Sequence, residues 1–302
     1  MISPLRIATF NTLHGIAITG TPNAESHLAE ADSDALADVA GSLRADVLAL
    51  QEIDRFQKRS GEADQTALIA SRMGTDQWRF VPSVEGTPGF PNWMAAEPGA
   101  IVGPDQSEND EAPPPASSPQ FGISLVSRYP VLRWRSTQLG GPRISVPIPM
   151  PAGAKPRIQW VPDEPRVALA AVVDTPHGIW TFATAHLSVV PGVNVRQLRT
   201  LLRWTSDLPT PLIILGDFNV PAPIVRRTTR WPHLVRGATF PSWNPKIQLD
   251  HVIASGLDDF QLARATSEII RLDVSDHCAV VLTLPAPEES ATDSEPTSNR
   301  ST

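Results

Sequence analysis

The chain lacks several features of secreted and membrane-spanning proteins. Its 302 residues contain a single cysteine, Cys278, so no internal disulfide can form and a reducing compartment is compatible. No stretch approaches the roughly 20 apolar residues that a membrane-spanning helix needs. The residues after Met1 lead at once into a strand-like segment, without the basic and apolar regions of a secretory signal. We therefore expect a cytoplasmic protein with no transmembrane segment.

Short motifs of several enzyme classes are also missing. No glycine-rich GxGxxG turn follows the first strand, which disfavours a single doubly wound sheet. No CxxC or HExxH motif is present, so a zinc site is less expected than a site for a hard cation.

Negative charge is concentrated in two segments. The net charge is −7, from 25 basic and 32 acidic residues. Residues 84–120 hold six acids and no Lys or Arg, and residues 287–302 hold four acids and one Arg. The rest of the chain carries a net charge of only +2, so the global charge does not decide whether the ligand is a nucleic acid.

The sequence predicts one domain over residues 1–285. Two Pro-rich stretches, about 84–120 and 140–165, are predicted to be irregular inserts, because strand-like motifs lie on both sides of each. Residues 286–302 have the composition of a disordered acidic tail.

Six short signatures place polar residues at the ends of strand-like apolar runs. Strand interiors alternate or stay apolar, so Asn, Glu, His or Asp closing such a run indicates a function. The signatures are RIATFN (6–11), DVLALQE (46–52), TFATAH (181–186), LIILGDFN (212–219), QLDH (248–251) and SDH (275–277).

The order of these runs predicts the fold class. Residues 6–52 read as strand, helix and strand ending in a carboxylate, and residues 178–219 repeat this order. Two similar halves with helices outside predict an α/β protein, a four-layer sandwich in which two packed mixed β-sheets are flanked by helices. A single doubly wound sheet is the alternative.

Three residues are predicted to bind a metal ion. Glu52 and Asp276 are carboxylates suited to a hard divalent cation, and Asn11 can add a neutral carbonyl oxygen. Mg²⁺ is the expected ion, with Mn²⁺ as the alternative.

The remaining signature residues are suited to acid–base work and to binding phosphate. Asp217 can orient or deprotonate a water, and Asn219 can donate to a phosphoryl oxygen. Asp250 and His277 are predicted to pair, since a carboxylate on one imidazole nitrogen leaves the other free for substrate. His186 closes its strand as Asn11 does and is predicted to touch the phosphate.

The set of motifs closely resembles the endonuclease/exonuclease/phosphatase superfamily of metal-dependent phosphohydrolases. Its members include pancreatic-type deoxyribonucleases, abasic-site endonucleases, neutral sphingomyelinases and inositol-polyphosphate 5-phosphatases. The resemblance covers about residues 6–284 and rests above all on GDFN and SDH in this order. It implies the four-layer sandwich and Mg²⁺-dependent cleavage of a phosphate ester by in-line attack of water. It also implies a supporting, substrate-side role for Arg166, for which a structural ion pair is the alternative.

The substrate stays open at this point. Residues 225–236 carry four arginines beside Trp231, and of these Arg226 and Arg227 are predicted to bind substrate. A small-molecule or lipid phosphate ester is the first expectation, and DNA or RNA is the alternative. A catalytically silent binding module is a remote alternative, because every site position holds a competent residue. We expect a monomer.

Overall fold

The computed structural model describes residues 3–18, 31–88, 93–104, 118–141, 145–149 and 158–286. Parts of the predicted inserts at 84–120 and 140–165, and nearly all of the predicted acidic tail at 286–302, lie outside these residues. Within the described part, residues 145–149 and 158–162 form a two-stranded antiparallel pair.

Fourteen strands and five α-helices make up the described structure. The strands are β1 (Leu5–Asn11), β2 (Val47–Arg55), β3 (Gln77–Glu85), β4 (Met94–Ala95), β5 (Gln120–Ser127), β6 (Val131–Gln138), β7 (Ser145–Pro149), β8 (Ile158–Pro162), β9 (Val167–Thr175), β10 (Gly178–Ala185), β11 (Leu212–Asp217), β12 (Asp250–Ser255), β13 (Thr266–Ile270) and β14 (Ala279–Leu284). The helices are α1 (Ser33–Ser42), α2 (Gln65–Met73), α3 (Val193–Trp204), α4 (Ala222–Thr229) and α5 (Asp259–Arg264).

Two mixed sheets form the centre of the molecule. The first has the order β13-β14-β1-β2-β5-β3-β4 and the second has the order β12-β11-β10-β9-β6. The parallel pairs are β1 with β2 and β10 with β11, each joined through a helix. This repeats the strand–helix–strand order of the two halves and explains why the sequence pattern occurs twice.

The layers are held together by three buried apolar clusters. One lies between the sheets and includes Val47 and Ile123 from the first sheet and Phe182 and Ile213 from the second. A second packs α1 and α2 on the outer face of the first sheet. A third packs α3 and α4 on the outer face of the second sheet. The predicted four-layer α/β sandwich is confirmed, and the single doubly wound sheet is excluded.

Helix ends follow from local polar residues. Asp32 accepts a hydrogen bond from the backbone N–H of Ala35 and begins α1. Asp64 does the same with Ala67 at the start of α2, which ends at Gly74 in the left-handed conformation. Within the described residues, no helix is long and apolar enough to span a lipid bilayer.

Gly122 of β5 lies between two strands that are both bulged beside it. The pairing of β2 with β5 skips Glu52, and the pairing of β3 with β5 skips Ser83. A Cβ atom on Gly122 would lie 2.1 Å from the carbonyl oxygen of Val81, so no larger residue fits without moving the backbone. A bulge turns a side chain out of the regular alternation of a strand, and here it redirects Glu52.

Replacing Gly122 with alanine is expected to lower the free energy of unfolding by about 3 kcal/mol, because the clash is with backbone and has little room to relax. Gly41→Ala on α1 is the control. Its Cβ would lie at an ordinary 3.5 Å from Arg72, and alanine favours a helix over glycine by about 1 kcal/mol. Urea unfolding of both variants checks the prediction, and equal effects of the two substitutions would contradict it.

Candidate active site

The polar residues of the six signatures meet at one edge of the two sheets. The strands β1, β10 and β11 end there, β2 passes through this edge at the Glu52 bulge, and β12 starts there, with Asp217 and Asp250 in register. The turn before β14 is tied to the same edge, because the Ser275 hydroxyl donates to the carbonyl oxygen of Asn11 at 2.7 Å. Residues far apart in sequence are therefore neighbours at this edge.

Asp217 lies at the centre of the group and is only 1% exposed. Its Oδ2 accepts a hydrogen bond from Asn11 Nδ2 at 3.0 Å, and its Oδ1 accepts one from the backbone N–H of Asn219 at 2.9 Å. Both His186 Nε2 and His277 Nε2 lie 3.6 Å from Oδ2. Burial raises the pKa of Asp217 to about 6, although His277 acts in the opposite direction.

His277 and Asp250 form the predicted pair. His277 Nδ1 lies 2.8 Å from Asp250 Oδ2, and Asp250 is fully buried. Burial alone would lower the pKa of His277, but the carboxylates of Asp250 and Asp217 together raise it well above the ordinary value. His277 is therefore an imidazolium near neutral pH, with Nδ1–H donating to Asp250 and Nε2–H directed to the side of Asp217.

Glu52 occupies the bulged position of β2 with a left-handed backbone, at φ 56°. Its Oε1 accepts a hydrogen bond from Asn11 Nδ2 at 3.0 Å. Burial, and after it the neighbouring carboxylate of Asp276, raise the pKa of Glu52 to about 7. Backbone strain and a perturbed carboxylate at one residue are typical of a functional position.

The carboxylates of Glu52 and Asp276 fit a divalent cation. The Asp276 carboxylate disfavours the ionised form of Glu52, and a hard cation bound between them would remove that penalty. The side-chain amide of Asn11 is oriented differently from the prediction, which had its oxygen binding the metal. Its Nδ2 faces Glu52 and Asp217, and its Oδ1 accepts the backbone N–H of Leu13 at 3.2 Å.

A second group has ligand atoms close enough to hold a metal ion. Asp217, Asp250 and His277 offer atoms within 4.8 Å of one another. In this group one oxygen of Asp250 is already bonded to His277 Nδ1, so the group has one donor atom fewer for a cation. Glu52 and Asp276 offer a second set of carboxylate donors.

His186 and Asn219 also lie beside Asp217. Asn219 Nδ2 is 3.2 Å from His186 Nε2 and donates to the carbonyl oxygen of Leu187 at 3.0 Å. His186 Nδ1 lies 3.1 Å from Arg166 Nη1. Burial lowers the pKa of His186 well below its ordinary value, and Arg166 and His277 lower it further. His186 is therefore a neutral imidazole.

Of the three predicted arginines, Arg166 contacts a residue of the site, and in the part of the chain that the structure describes Arg226 and Arg227 do not. Arg166 is buried, and its guanidinium contacts Asp163 and His186. Arg226 and Arg227 lie on the exposed face of α4, and within the described residues no hydrogen bond or ion pair joins them to the central group.

Two features of the site were missed by sequence reasoning. Gln51 Nε2 donates to the hydroxyls of Thr9 and Thr184, which forms a buried polar bridge between the two sheets directly beneath the site. All three residues lie inside the signature motifs, so the signal was present as polar residues in otherwise apolar strands. The ring centroid of Phe240 lies 4.9 Å from the ring centroid of His277. Nothing in the local sequence links that aromatic residue to the imidazole.

Comparison with known proteins agrees with the fold and the motifs. The model of the Endonuclease/Exonuclease/phosphatase family matches residues 8–277. Among solved structures, a family protein from Beutenbergia cavernae is 21% identical with a TM-score of 0.55, over 94% of this chain and 72% of that chain. A family protein from Bacteroides thetaiotaomicron is 12% identical with a TM-score of 0.56, over 94% of this chain and 98% of that chain.

A mannosyl-6-phosphatase from Bacteroides thetaiotaomicron is also similar. It is 12% identical with a TM-score of 0.54, over 93% of this chain and 99% of that chain. At these identities the structural similarity establishes the fold alone. No curated protein sequence matches the chain. The family match over most of the sequence is decisive: the chain belongs to the endonuclease/exonuclease/phosphatase family, whose members are metal-dependent hydrolases of phosphoric esters.

Proposed function

We propose that the protein is a Mg²⁺-dependent phosphodiesterase or phosphatase in which a water molecule attacks phosphorus in line with the leaving oxygen. The observation that carries this proposal is the position of Asp217. Its Oδ2 lies 3.6 Å from the Nε2 atoms of both His186 and His277. A carboxylate between two imidazoles, beside a further pair of acids, matches a site that activates water next to an anionic substrate.

Glu52 and Asp276 would hold the metal ion, and Mn²⁺ is the alternative to Mg²⁺. When bound, the ion would neutralise charge on the phosphate and on the leaving oxygen. We assign Asn11 to positioning, because its amide nitrogen holds the carboxylates of Glu52 and Asp217 in place.

Asp217 is the residue that orients the attacking water and takes its proton. With a pKa of about 6, its carboxylate is mostly ionised at neutral pH and still basic enough to accept a proton. As the water oxygen bonds to phosphorus, the bond between phosphorus and the leaving oxygen breaks. The proton of the water passes to Asp217.

The other polar residues bind the charged phosphoryl group. The raised pKa of His277 supports a role as a positively charged donor from Nε2, held in orientation by Asp250, over a role as a base. Asn219 and His186 supply further nitrogen donors beside Asp217. Donors fixed in advance around the developing charge lower the barrier without reorganisation.

His277→Gln is expected to reduce kcat for hydrolysis of bis(p-nitrophenyl) phosphate at least about 100-fold, because it removes the charged donor. Asp250→Asn is expected to lower kcat as well, since it removes the charge that keeps His277 protonated. Parallel assays with p-nitrophenyl phosphate distinguish a diesterase from a monoester phosphatase. The measurement is kcat from steady-state kinetics with and without Mg²⁺.

His177→Gln is the matched control for these variants. His177 lies at the turn between β9 and β10, where its Nε2 contacts the carbonyl oxygen of Ser3. This variant should retain the kcat of the unmodified chain. Hydrolysis that persists at the full rate in His277→Gln would overturn the site, and the absence of hydrolysis of both esters would favour a binding module.

The substrate class is the finer part of the proposal. A small-molecule or lipid phosphate ester remains our first candidate, and the similar mannosyl-6-phosphatase acts by its name on a sugar phosphate. A nucleic acid is the second candidate, and one observation favours it. Seven exposed arginines on α3, on α4 and just after α4 have no ion-pair partner within the described residues: Arg196, Arg199, Arg203, Arg226, Arg227, Arg230 and Arg236.

If these arginines bind nucleic acid, the triple substitution Arg196→Gln, Arg199→Gln and Arg226→Gln should weaken binding of a single-stranded oligonucleotide. The slope of log K against log salt should fall by roughly 2, at about 0.7 for each lost phosphate contact. Fluorescence anisotropy in EDTA measures this binding without cleavage.

The control triple removes equal charge elsewhere, at the exposed arginines Arg44, Arg128 and Arg264. It should leave the salt dependence unchanged. Equal losses in the two triples would mean that the arginines of α3 and α4 have no specific role and would leave the small-molecule or lipid ester as the candidate. The cytoplasmic location and the monomeric state remain predictions from the sequence.

A further inference from the structure

We infer that Arg166 is a positioning residue that fixes His186 as the Nε2–H tautomer, so that this neutral imidazole donates a hydrogen bond into the site. The inference rests on the proposed function of the same site. It changes the role expected for Arg166 from contact with substrate to control of a neighbouring side chain.

The contact between the two residues decides which nitrogen carries the proton. Arg166 Nη1 lies 3.1 Å from His186 Nδ1, and both side chains are buried. A guanidinium is always protonated in proteins and offers only donors. Nδ1 must therefore accept, and a neutral ring with an unprotonated Nδ1 carries its single proton on Nε2.

Asn219 competes for the same ring from the other side. Its Nδ2 lies 3.2 Å from Nε2, and if it donated there, Nδ1 would carry the proton and point it at the Arg166 guanidinium. That arrangement would deprive a buried charged donor of an acceptor, which costs more than leaving one amide proton of Asn219 without an acceptor on the ring. The other amide proton already binds the carbonyl oxygen of Leu187 at 3.0 Å.

The groups around His186 Nε2 are acceptors, which suits a protonated Nε2. Asp217 Oδ2 lies 3.6 Å away and Glu52 Oε1 lies 3.9 Å away, and both are acceptors. The Nε2–H of His186 and the free amide proton of Asn219 then converge on one point beside Asp217. Two donors that converge next to the attacking water suit a phosphoryl oxygen and not a general base.

Arg166 is itself fixed by a buried acid. Its Nη2 donates to Asp163 Oδ1 at 3.2 Å, and Asp163 Oδ2 accepts the hydroxyl of Ser188 at 2.6 Å. Ser188 follows His186 by two residues, so this chain of contacts closes on the loop that carries the imidazole. The guanidinium is therefore held at one orientation toward Nδ1.

Nitrogen-15 NMR of the metal-free protein reads the tautomer directly. The His186 ring signals are assigned as those missing from His186→Gln. We expect Nε2–H alone in the unmodified chain, and a population with Nδ1–H in Arg166→Met. Arg166→Lys, which restores a charged donor, should return the ring to Nε2–H. With bis(p-nitrophenyl) phosphate and Mg²⁺, Arg166→Met should lower kcat at least about tenfold with little change in KM.

Arg59→Met is the matched control for structural damage. Arg59 also binds a buried acid, through two hydrogen bonds of 2.8 Å to Asp54, but within the described residues it has no contact with His186. This variant should keep the Nε2–H tautomer. A Nδ1–H ring in the unmodified chain, or the same tautomer in Arg166→Met as in the unmodified chain, would overturn the inference. Failure of the proposed function would appear separately, as a correct tautomer without Mg²⁺-dependent hydrolysis.

Discussion

Several carboxylates lie together at one buried edge of the two sheets. The other residues of the site reduce the free-energy cost of burying their charge. Asp217 and Asp250 are almost fully buried, and Glu52 has Asp276 as a like-charged neighbour. Buried charges need donors or counter-charges. Asn11 and the protonated His277 meet part of that need, and a bound cation would meet the rest.

The fold supplies the precision that this edge requires. A parallel strand pair from each half carries its polar residues to this edge, and the Gln51 bridge ties the two sheets together directly beneath the site. The bulge at Glu52 lies where β2 pairs with β5 at Gly122, and on the other side of Gly122 β3 approaches more closely than any side chain would allow. The bulge and the close packing therefore meet at the same point of β5.

Much of this could be predicted from sequence, and the limits are physical. Strand ends are readable because Asn11, Asp217 and His186 interrupt apolar runs, and the order of elements then implies which ends meet. The orientation of the Asn11 amide and the contact of Arg166 with His186 depend on side-chain geometry between distant elements, which no local pattern encodes. The predicted inserts and tail lie partly or almost wholly outside the described residues, so they stay predictions.

The most direct test of the account is the stability of the metal-free protein between pH 5 and pH 8, compared with Glu52→Gln. The pKa of Glu52 is near 7 in the fold against an ordinary value of 4.5, so its contribution to stability is lost as the pH rises through 7. The variant should gain up to about 3 kcal/mol over the unmodified chain by pH 8. Added Mg²⁺ should then stabilise the unmodified chain more than the variant. Parallel pH curves and equal stabilisation by Mg²⁺ would contradict a metal site at Glu52.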